Sequence, residues 1–214
     1  MHKAMVSRIL IVFMACMGVL FSMNASAAQD PETIIRDNAK ALMSKLDKKQ
    51  GYYQQHEDEL KQLVDETVSP IVDFRYVGAS VMGKYFRAAS PEQRSRFADV
   101  FKQTLIDTYA KGLVTFDYKT LSVPENQNTQ RYEDQANVDM NVVSTKGKTY
   151  PVSYTLKQRD GQWKVVNVVV NGINLGLTFR NQFDQAMRDN NRDIDQVIEQ
   201  WSPNVDLEDG SGNE

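Results

Sequence analysis

The side chains that most often carry out chemistry, histidine and cysteine above all, are scarce in this sequence. Apart from His2, the one histidine is His56, which lies in the polar run 52–59. A single histidine cannot build a multi-histidine metal site, and a Ser/His/Asp triad would have to use His56 itself as its base. No serine lies in a Gly-x-Ser-x-Gly motif. We therefore expect no catalytic residue and no metal site, and we interpret His56 as a surface residue.

One glycine-rich stretch partly matches a phosphate-binding loop. Residues Gly78 to Lys84 fit the first seven positions of the G-x-x-x-x-G-K-[ST] motif. The eighth position is Tyr85, where the motif requires a Ser or Thr hydroxyl to hold Mg²⁺. We therefore predict that no nucleotide or other cofactor binds here. The simpler interpretation is that Gly78 and Gly83 allow a helix to approach another element closely.

Composition places the chain among ordinary globular proteins. Of its 214 residues, 41% are hydrophobic and 25% are charged, which is enough to build one packed domain. The formal net charge of −3 argues against nucleic acid as the main partner, because phosphate binding needs a basic surface. Carboxylates are frequent but scattered, and no spacing indicates a general acid and base.

The N-terminus has the three parts of a secretory signal peptide. Lys3 and Arg8 precede the almost wholly apolar run 9–21, and Ala25-Ser26-Ala27 follows as a small-residue cleavage site. The apolar run is short for a membrane span. The sequence therefore predicts a signal peptide over residues 1–27 and an exported protein.

The single cysteine does not change this interpretation. Cys16 lies inside the apolar run with apolar residues on both sides, whereas a lipidated cysteine would directly follow such a run. The mature chain then has no cysteine, which excludes disulfides and thiol chemistry. An acidic, glycine-rich tail over 206–214 is expected to be disordered, which leaves residues 28–205 as a single domain.

Helical periodicity runs from Asp30 to about Leu113. Asp30-Pro31 is typical of a helix start, and Ser90 with Gln93 forms a capping-box pattern. Apolar spacing predicts helices at about 30–48, 60–68, 73–88, 90–113, 175–187 and 193–201. The first of these is expected to stop at Gly51.

After Gly112 the apolar period changes to two, which is typical of strands. Strands are predicted at about 116–119, 137–142, 152–157 and 163–170. Asp160-Gly161 is a two-residue hairpin signal, and the polar stretch 126–134 is predicted to be a loop. The last strand is apolar on both faces and is expected to be central. The order predicts an α+β fold, in which N- and C-terminal helices cover a twisted antiparallel sheet of about four strands.

Two blocks of the sequence closely resemble the MlaC family, the toluene-tolerance auxiliary proteins of an ABC transporter. The first block contains Tyr76-Val77-Gly78, Gly83-Lys84-Tyr85-Phe86-Arg87 and Ser90-Pro91-Glu92-Gln93-Arg94. The second contains Trp163 to Val168, Asn171-Gly172-Ile173-Asn174-Leu175 and Phe179-Arg180-Asn181-Gln182-Phe183. The blocks occur in the family's order, and the resemblance covers nearly the whole mature chain.

The resemblance implies a soluble periplasmic phospholipid carrier with an apolar lipid cavity between its sheet and its helices. Such proteins move phospholipid between an outer-membrane lipoprotein–porin complex and an inner-membrane ABC transporter, and so maintain outer-membrane lipid asymmetry. The family has no signature catalytic residues, so no enzymatic activity is expected.

A cavity of this kind would be lined by apolar side chains from both layers. On the sheet the predicted lipid-binding residues are Val138, Met140, Val142, Val152, Tyr154, Leu156, Trp163 and Val165. On the helices they are Val81, Phe86, Phe101, Leu105, Tyr109, Leu175, Phe179 and Phe183.

Residue types alone do not separate a hollow from a solid core, so two alternatives stay open at this point. A periplasmic adaptor with a solid core would bind protein and no lipid. A small periplasmic hydrolase would need His56 with a carboxylate as its base.

Overall fold

The computed structural model describes residues 29–125 and 130–205. The predicted signal peptide with Cys16, the acidic tail and part of the predicted 126–134 loop lie outside these residues. Within them, no helix is long and apolar enough to cross a membrane.

The chain folds into helices, then a sheet, then helices. The helices are α1 (Pro31–Lys48), α2 (Gln50–Tyr53), α3 (Glu57–Val68), α4 (Phe74–Met82), α5 (Pro91–Thr115), α6 (Leu175–Asp189) and α7 (Ile194–Glu199), with a 3₁₀ turn at Gly83–Tyr85. The strands are β1 (Tyr118–Ser122), β2 (Gln130–Tyr132), β3 (Gln135–Ser144), β4 (Thr149–Arg159), β5 (Gln162–Val170) and β6 (Ile173–Asn174). The predicted α+β class is confirmed.

Two predicted helix starts have the capping geometry that their residues indicate. The Thr33 amide donates to Asp30 Oδ2 at 3.1 Å, and Pro31 occupies the first helical position. Ser90 and Gln93 form a reciprocal capping box, in which each backbone amide donates to the other residue's side chain, at 2.9 and 3.2 Å. A cap of this kind stabilises a helix by about 1 kcal/mol.

Glycines at two predicted helix ends behave differently. Gly51 was expected to stop the first helix, but it lies inside the short helix α2, and α1 ends at Lys48. Gly83 has φ of +54°, a conformation that favours glycine, and it ends α4 within the predicted 73–88 segment. Gly78 brings two helices together, since a Cβ there would lie 3.3 Å from the Ala98 Cα on α5. The predicted close approach at Gly78 is confirmed.

The sheet is antiparallel, with strand order β1-β3-β4-β5-β6, and β2 also pairs with β3. Among the described residues it has six strands, and four of them are five residues or longer. Asp160 and Gly161 join β4 to β5 with φ of +49° and +75°, which confirms the predicted two-residue hairpin.

Three details of the sheet differ from prediction. Residues 130–132 of the predicted loop form β2, a polar edge strand with no alternating pattern to mark it. The first strand begins at Tyr118, because α5 continues to Thr115 and Phe116 caps it. β5 is not central, since only the two-residue β6 lies beyond it. Its second apolar face contacts α4 and α6, which explains the valine-rich pattern.

In the part of the chain that the structure describes, buried apolar residues form three separate clusters. The sheet cluster lies between the sheet and α1 and contains Ile35, Val123, Ala136, Val138, Met140, Val152, Leu156, Trp163 and Val165. The aromatic cluster joins α4, α5, α6 and α7 and contains Val81, Met82, Ala89, Phe97, Phe101, Phe179, Phe183, Met187, Val197, Ile198 and Trp201. The α3–α5 cluster contains Leu46, Leu60, Leu63, Val64, Ile106, Ala110 and Val114.

Candidate functional site

The sixteen predicted lining residues fall into two of these clusters, eight in each. All eight sheet residues belong to the sheet cluster or pack against it, so they share the inner face of the sheet. Six of them are buried, and Val142 and Tyr154 are half-buried. The register places Val138 opposite Tyr154 and Met140 opposite Val152. The predicted inward orientation of these side chains is therefore confirmed, while their contact with lipid stays a prediction.

The eight helix residues belong to the aromatic cluster or pack against it. Val81, Phe101, Phe179 and Phe183 are buried, and Phe86, Leu105, Tyr109 and Leu175 are half-buried. The ring centroids of Phe101 and Phe179 lie 5.5 Å apart in an edge-to-face arrangement. The structure therefore does not bring the helix set and the sheet set into one buried cluster.

The helix that packs against the inner face of the sheet was missing from the predicted lining. Ile35 of α1 belongs to the sheet cluster, and Ile34 and Ala39 pack against it. Ile71 and Val72, just after α3, pack against the same cluster. The periodic apolar residues of α1 were visible in the sequence. Nothing in that pattern, however, shows which layer a helix covers.

Tyr154 has the most unusual environment on the inner face. Burial raises the pKa of its phenol to about 12. Its hydroxyl makes no hydrogen bond among the described residues, yet the side chain keeps accessible surface. A polar group that lies deep in the protein and still has accessible surface faces a space rather than packed atoms.

The apolar residues near Tyr154 on the sheet are also incompletely covered. Val168 lies opposite Tyr154, and Val170 lies opposite Val152. Both side chains are half-buried, as is Val142. Together with Tyr154 these residues form an apolar wall that the helices do not close.

His56 lies elsewhere and is exposed. Its ring stacks on Tyr52, with 3.8 Å between the centroids, and its Nδ1 lies 2.8 Å from the Tyr52 carbonyl oxygen. The groove around it is lined by Gln55, His56, Glu57, Asp58, Glu59 and Lys61, with no serine or threonine among these six. The surface position predicted for His56 is confirmed.

The segment that partly matches a phosphate loop is occupied by other contacts. Lys84 pairs with Asp184 at 2.6 Å, and this ammonium, with the Tyr85 hydroxyl, lowers the pKa of Asp184 to about 2. The Tyr85 ring lies 6.1 Å from the Phe183 ring. Among residues 29–125 and 130–205, no group of three potential ligands could hold a metal ion.

Comparison with known proteins agrees with this fold. The family model described as MlaC protein matches residues 36–203. This chain belongs to the MlaC family. The match begins within α1 and continues past the end of α7, so it covers nearly all of the three clusters.

Two relatives carry names that describe their roles. The toluene tolerance protein ttg2D of Pseudomonas putida is 34% identical over 187 residues, which is 86% of each chain. The intermembrane phospholipid transport system binding protein MlaC of Haemophilus influenzae is 25% identical over 160 residues, covering 73% of this chain and 74% of that protein.

A solved structure of similar fold is the phospholipid-binding protein from Ralstonia solanacearum in complex with a phospholipid. It superposes with a TM-score of 0.69 at 22% identity, covering 79% of this chain and 93% of that one. At this identity the likeness establishes the shared fold.

Proposed function

We propose that this MlaC-family protein is a periplasmic phospholipid carrier. It takes lipid between an outer-membrane lipoprotein–porin complex and an inner-membrane ABC transporter. Family membership supports lipid transport, since the Haemophilus relative is named for it and the Ralstonia protein was solved with a phospholipid.

The observation that carries the proposal is the incomplete closure of the sheet's inner face. A packed domain usually has one contiguous core with smaller satellite clusters. Here the buried residues divide into three clusters, and half-buried apolar residues lie at their borders. A space between sheet and helices accounts for this division, and it also accounts for the unpaired Tyr154 hydroxyl.

The energetics of the cargo require such a space. Each methylene transferred out of water contributes about 0.8 kcal/mol. Two acyl chains with roughly 28 methylenes would therefore cost about 20 kcal/mol to leave in water. A carrier must enclose the tails almost completely. Compared with a bilayer, however, an apolar cavity is close to neutral, so lipid can load and unload near equilibrium.

The inner face of the sheet is the better supported half of the predicted lining. Val142, Tyr154, Val168 and Val170 keep accessible surface that a ligand can cover. Phe101 and Phe183, at 1% and 0% exposure, are already covered by neighbouring side chains. We place the acyl chains between the sheet and α1, beside the aromatic cluster rather than within it.

Direction of transport must then come from the partners. The carrier offers no phosphate loop for ATP, because Lys84 is paired with Asp184 and Tyr85 replaces the metal-binding hydroxyl. The partner complexes and the ATP of the transporter set the direction in which lipid moves.

The test places a carboxylate against the acyl chains. Val152 is 7% exposed on the inner face, and Val152→Asp buries an unpaired charge at a cost of several kcal/mol unless water reaches it. In a carrier, the space admits water once lipid leaves, so the variant should be folded and free of lipid. Native mass spectrometry of periplasmic protein measures the lipid, and far-UV circular dichroism measures the fold.

A matched control adds the same charge to the other face. Asn137 is exposed on β3, and Asn137→Asp should keep both fold and lipid. If Val152→Asp fails to fold while Asn137→Asp folds normally, the protein has the solid core expected of an adaptor. Absence of phospholipid from the wild type would overturn the carrier proposal, whether the protein is an adaptor or a hydrolase. A folded Val152→Asp protein with full lipid would remove the sheet face from the lining.

A further inference from the structure

A groove of about 460 Å³ lies between α1 and β1. One wall is the side of α1 from Ala39 to Lys48, and the other is β1 from Tyr118 to Leu121. Residues 40, 44, 47 and 48 recur at helical spacing, so they share the groove side of α1. The groove is therefore built by the first helix and the first strand of the fold.

Three lysines line this groove. Lys40 and Lys48 come from α1 and Lys119 comes from β1, and all three are exposed. Among the described residues, none of the three forms an ion pair. The carboxylate in the groove, Asp47, accepts a hydrogen bond from the Tyr118 hydroxyl at 2.7 Å. Three lysines against one carboxylate leave the groove with an excess of positive charge.

The floor of the groove is apolar and continues into the protein. Ala39 and Leu121 line the groove and also pack against the sheet cluster, while Met43 lines it and packs against the α3–α5 cluster. Leu121 lies opposite Val142 on β3. From Val142 the inner face runs four residues, about 13 Å, to Val138 opposite Tyr154. The groove is where two of the apolar clusters reach the surface.

A cationic rim over an apolar floor suits an amphipathic anion. We infer that the phosphate of the bound phospholipid's headgroup lies against Lys40, Lys48 and Lys119, with the acyl chains passing Leu121 onto the inner face of the sheet. This inference rests on the proposed carrier function and assigns the mouth of its cavity. It also assigns a preference, since unpaired lysines favour headgroups with a net negative charge over zwitterionic ones.

The sequence alone does not predict this rim of three lysines. Lys119 comes about seventy residues after Lys48 in the chain, and the overall charge is negative. Folding brings them to one opening, so the headgroup contacts a basic surface although the chain has no basic run.

The experiment measures competition between headgroups. Protein stripped of lipid is incubated with vesicles that hold equal amounts of phosphatidylglycerol and phosphatidylcholine with the same acyl chains. Bound lipid is then identified by native mass spectrometry. Wild type should be enriched in phosphatidylglycerol. The variant Lys40→Glu/Lys119→Glu reverses two of the three charges. It should lower the ratio of bound phosphatidylglycerol to bound phosphatidylcholine roughly tenfold, since each exposed charge contributes modestly. Lys48 is left unchanged because it lies in the last turn of α1.

Two further variants make the result decisive. Arg75→Glu/Arg87→Glu has the same charge change at two exposed positions outside the groove, and it should keep the wild-type ratio. Lys40→Gln/Lys119→Gln should lower the ratio by a smaller factor, and it substitutes for the double Glu variant if that variant is unstable.

The possible outcomes separate the two proposals. A groove variant with the wild-type ratio, or with the same loss as the arginine control, overturns the headgroup site. A wild type that carries lipid without preference also overturns it, while leaving the carrier function intact. Failure of every protein to load lipid counts against the carrier function itself.

Discussion

The aromatic cluster and the sheet cluster are both built from apolar side chains but are closed to different degrees. Phe97 contacts Phe101, Phe183 and Trp201, with ring centroids 4.8 to 5.9 Å apart. In the sheet cluster, Tyr154 and its neighbour Val168 keep accessible surface. The aromatic cluster fills its own space, whereas the sheet cluster leaves one face unfilled.

Among the described residues, each of these two clusters also contains a polar group without a hydrogen-bond partner. The two groups differ in their access to solvent. Trp201 Nε1 has no hydrogen-bond partner among the described residues and no accessible surface, because rings enclose it. The Tyr154 hydroxyl is equally unpaired but faces space. Residue type therefore does not distinguish a stabilising core from a binding surface. What distinguishes them is whether the neighbouring layer completes the packing.

The largest expected effect comes from opening the aromatic cluster. Phe97 is 0% exposed, and Phe97→Ala should lower the free energy of unfolding by about 3–5 kcal/mol, because the cavity cannot collapse between neighbouring rings. Urea denaturation measures this loss. The folded fraction should still carry lipid. A stable variant without lipid would instead place the ligand inside the aromatic cluster.

A smaller effect is expected from adding volume to each cluster in turn. Val81 is 0% exposed, and Val81→Phe should cost about 1–3 kcal/mol through overpacking. Val168→Phe adds the same atoms to the unfilled face, so it should change stability little and reduce the bound lipid. Thermal unfolding and lipid extraction on both variants measure the difference. Equal losses of stability would mean that the sheet cluster is as solid as the aromatic one.

The smallest expected effect concerns the Tyr154 hydroxyl. Tyr154→Phe removes a hydroxyl that has no hydrogen-bond partner among the described residues, so the stability of the lipid-free protein at neutral pH should change by less than about 1 kcal/mol. Tyr118→Phe, which loses a hydrogen bond to Asp47, should cost about 0.5–1.5 kcal/mol. Chemical denaturation of both proteins makes the comparison. A marked loss in Tyr154→Phe would reveal a partner for the hydroxyl.

The same variant has a signature at high pH. The folded pKa of Tyr154, about 12, lies above its ordinary value near 10, so the unfolded phenol ionises first. The contribution of this phenol to the free energy of unfolding should therefore be constant below about pH 10. It should fall as the pH rises toward 12, by at most about 1.4 kcal/mol per pH unit. Tyr154→Phe should reduce that fall. An unchanged pH profile would mean that the phenol ionises normally.

Local signals predicted the local structure well. The Ser90–Gln93 capping box, the Asp160-Gly161 turn and the alternation along β3 and β4 each depend on neighbouring residues, so the sequence displays them directly. The inner face of the sheet followed from the same alternation.

What covers that face could not be predicted in this way. The inner face packs against α1, about a hundred residues earlier in the chain, while the aromatic helices pack with one another and against the other face of β5. The lysine rim has the same origin, because Lys40 and Lys119 meet only in the tertiary fold. Both depend on long-range contacts that no local pattern encodes.

The edges of the sheet bear on how the protein avoids aggregation. An unpaired strand edge is a template for another chain. β5 is covered on its outer side, since the Val165 amide donates to the Ile71 carbonyl at 2.7 Å and the Asp73 amide donates to the Val165 carbonyl at 3.0 Å. The opposite edge, β1, is short and irregular between Tyr118 and Thr120, and it carries an exposed lysine. Stacking of copies edge to edge is therefore disfavoured, even when an apolar interior stands empty.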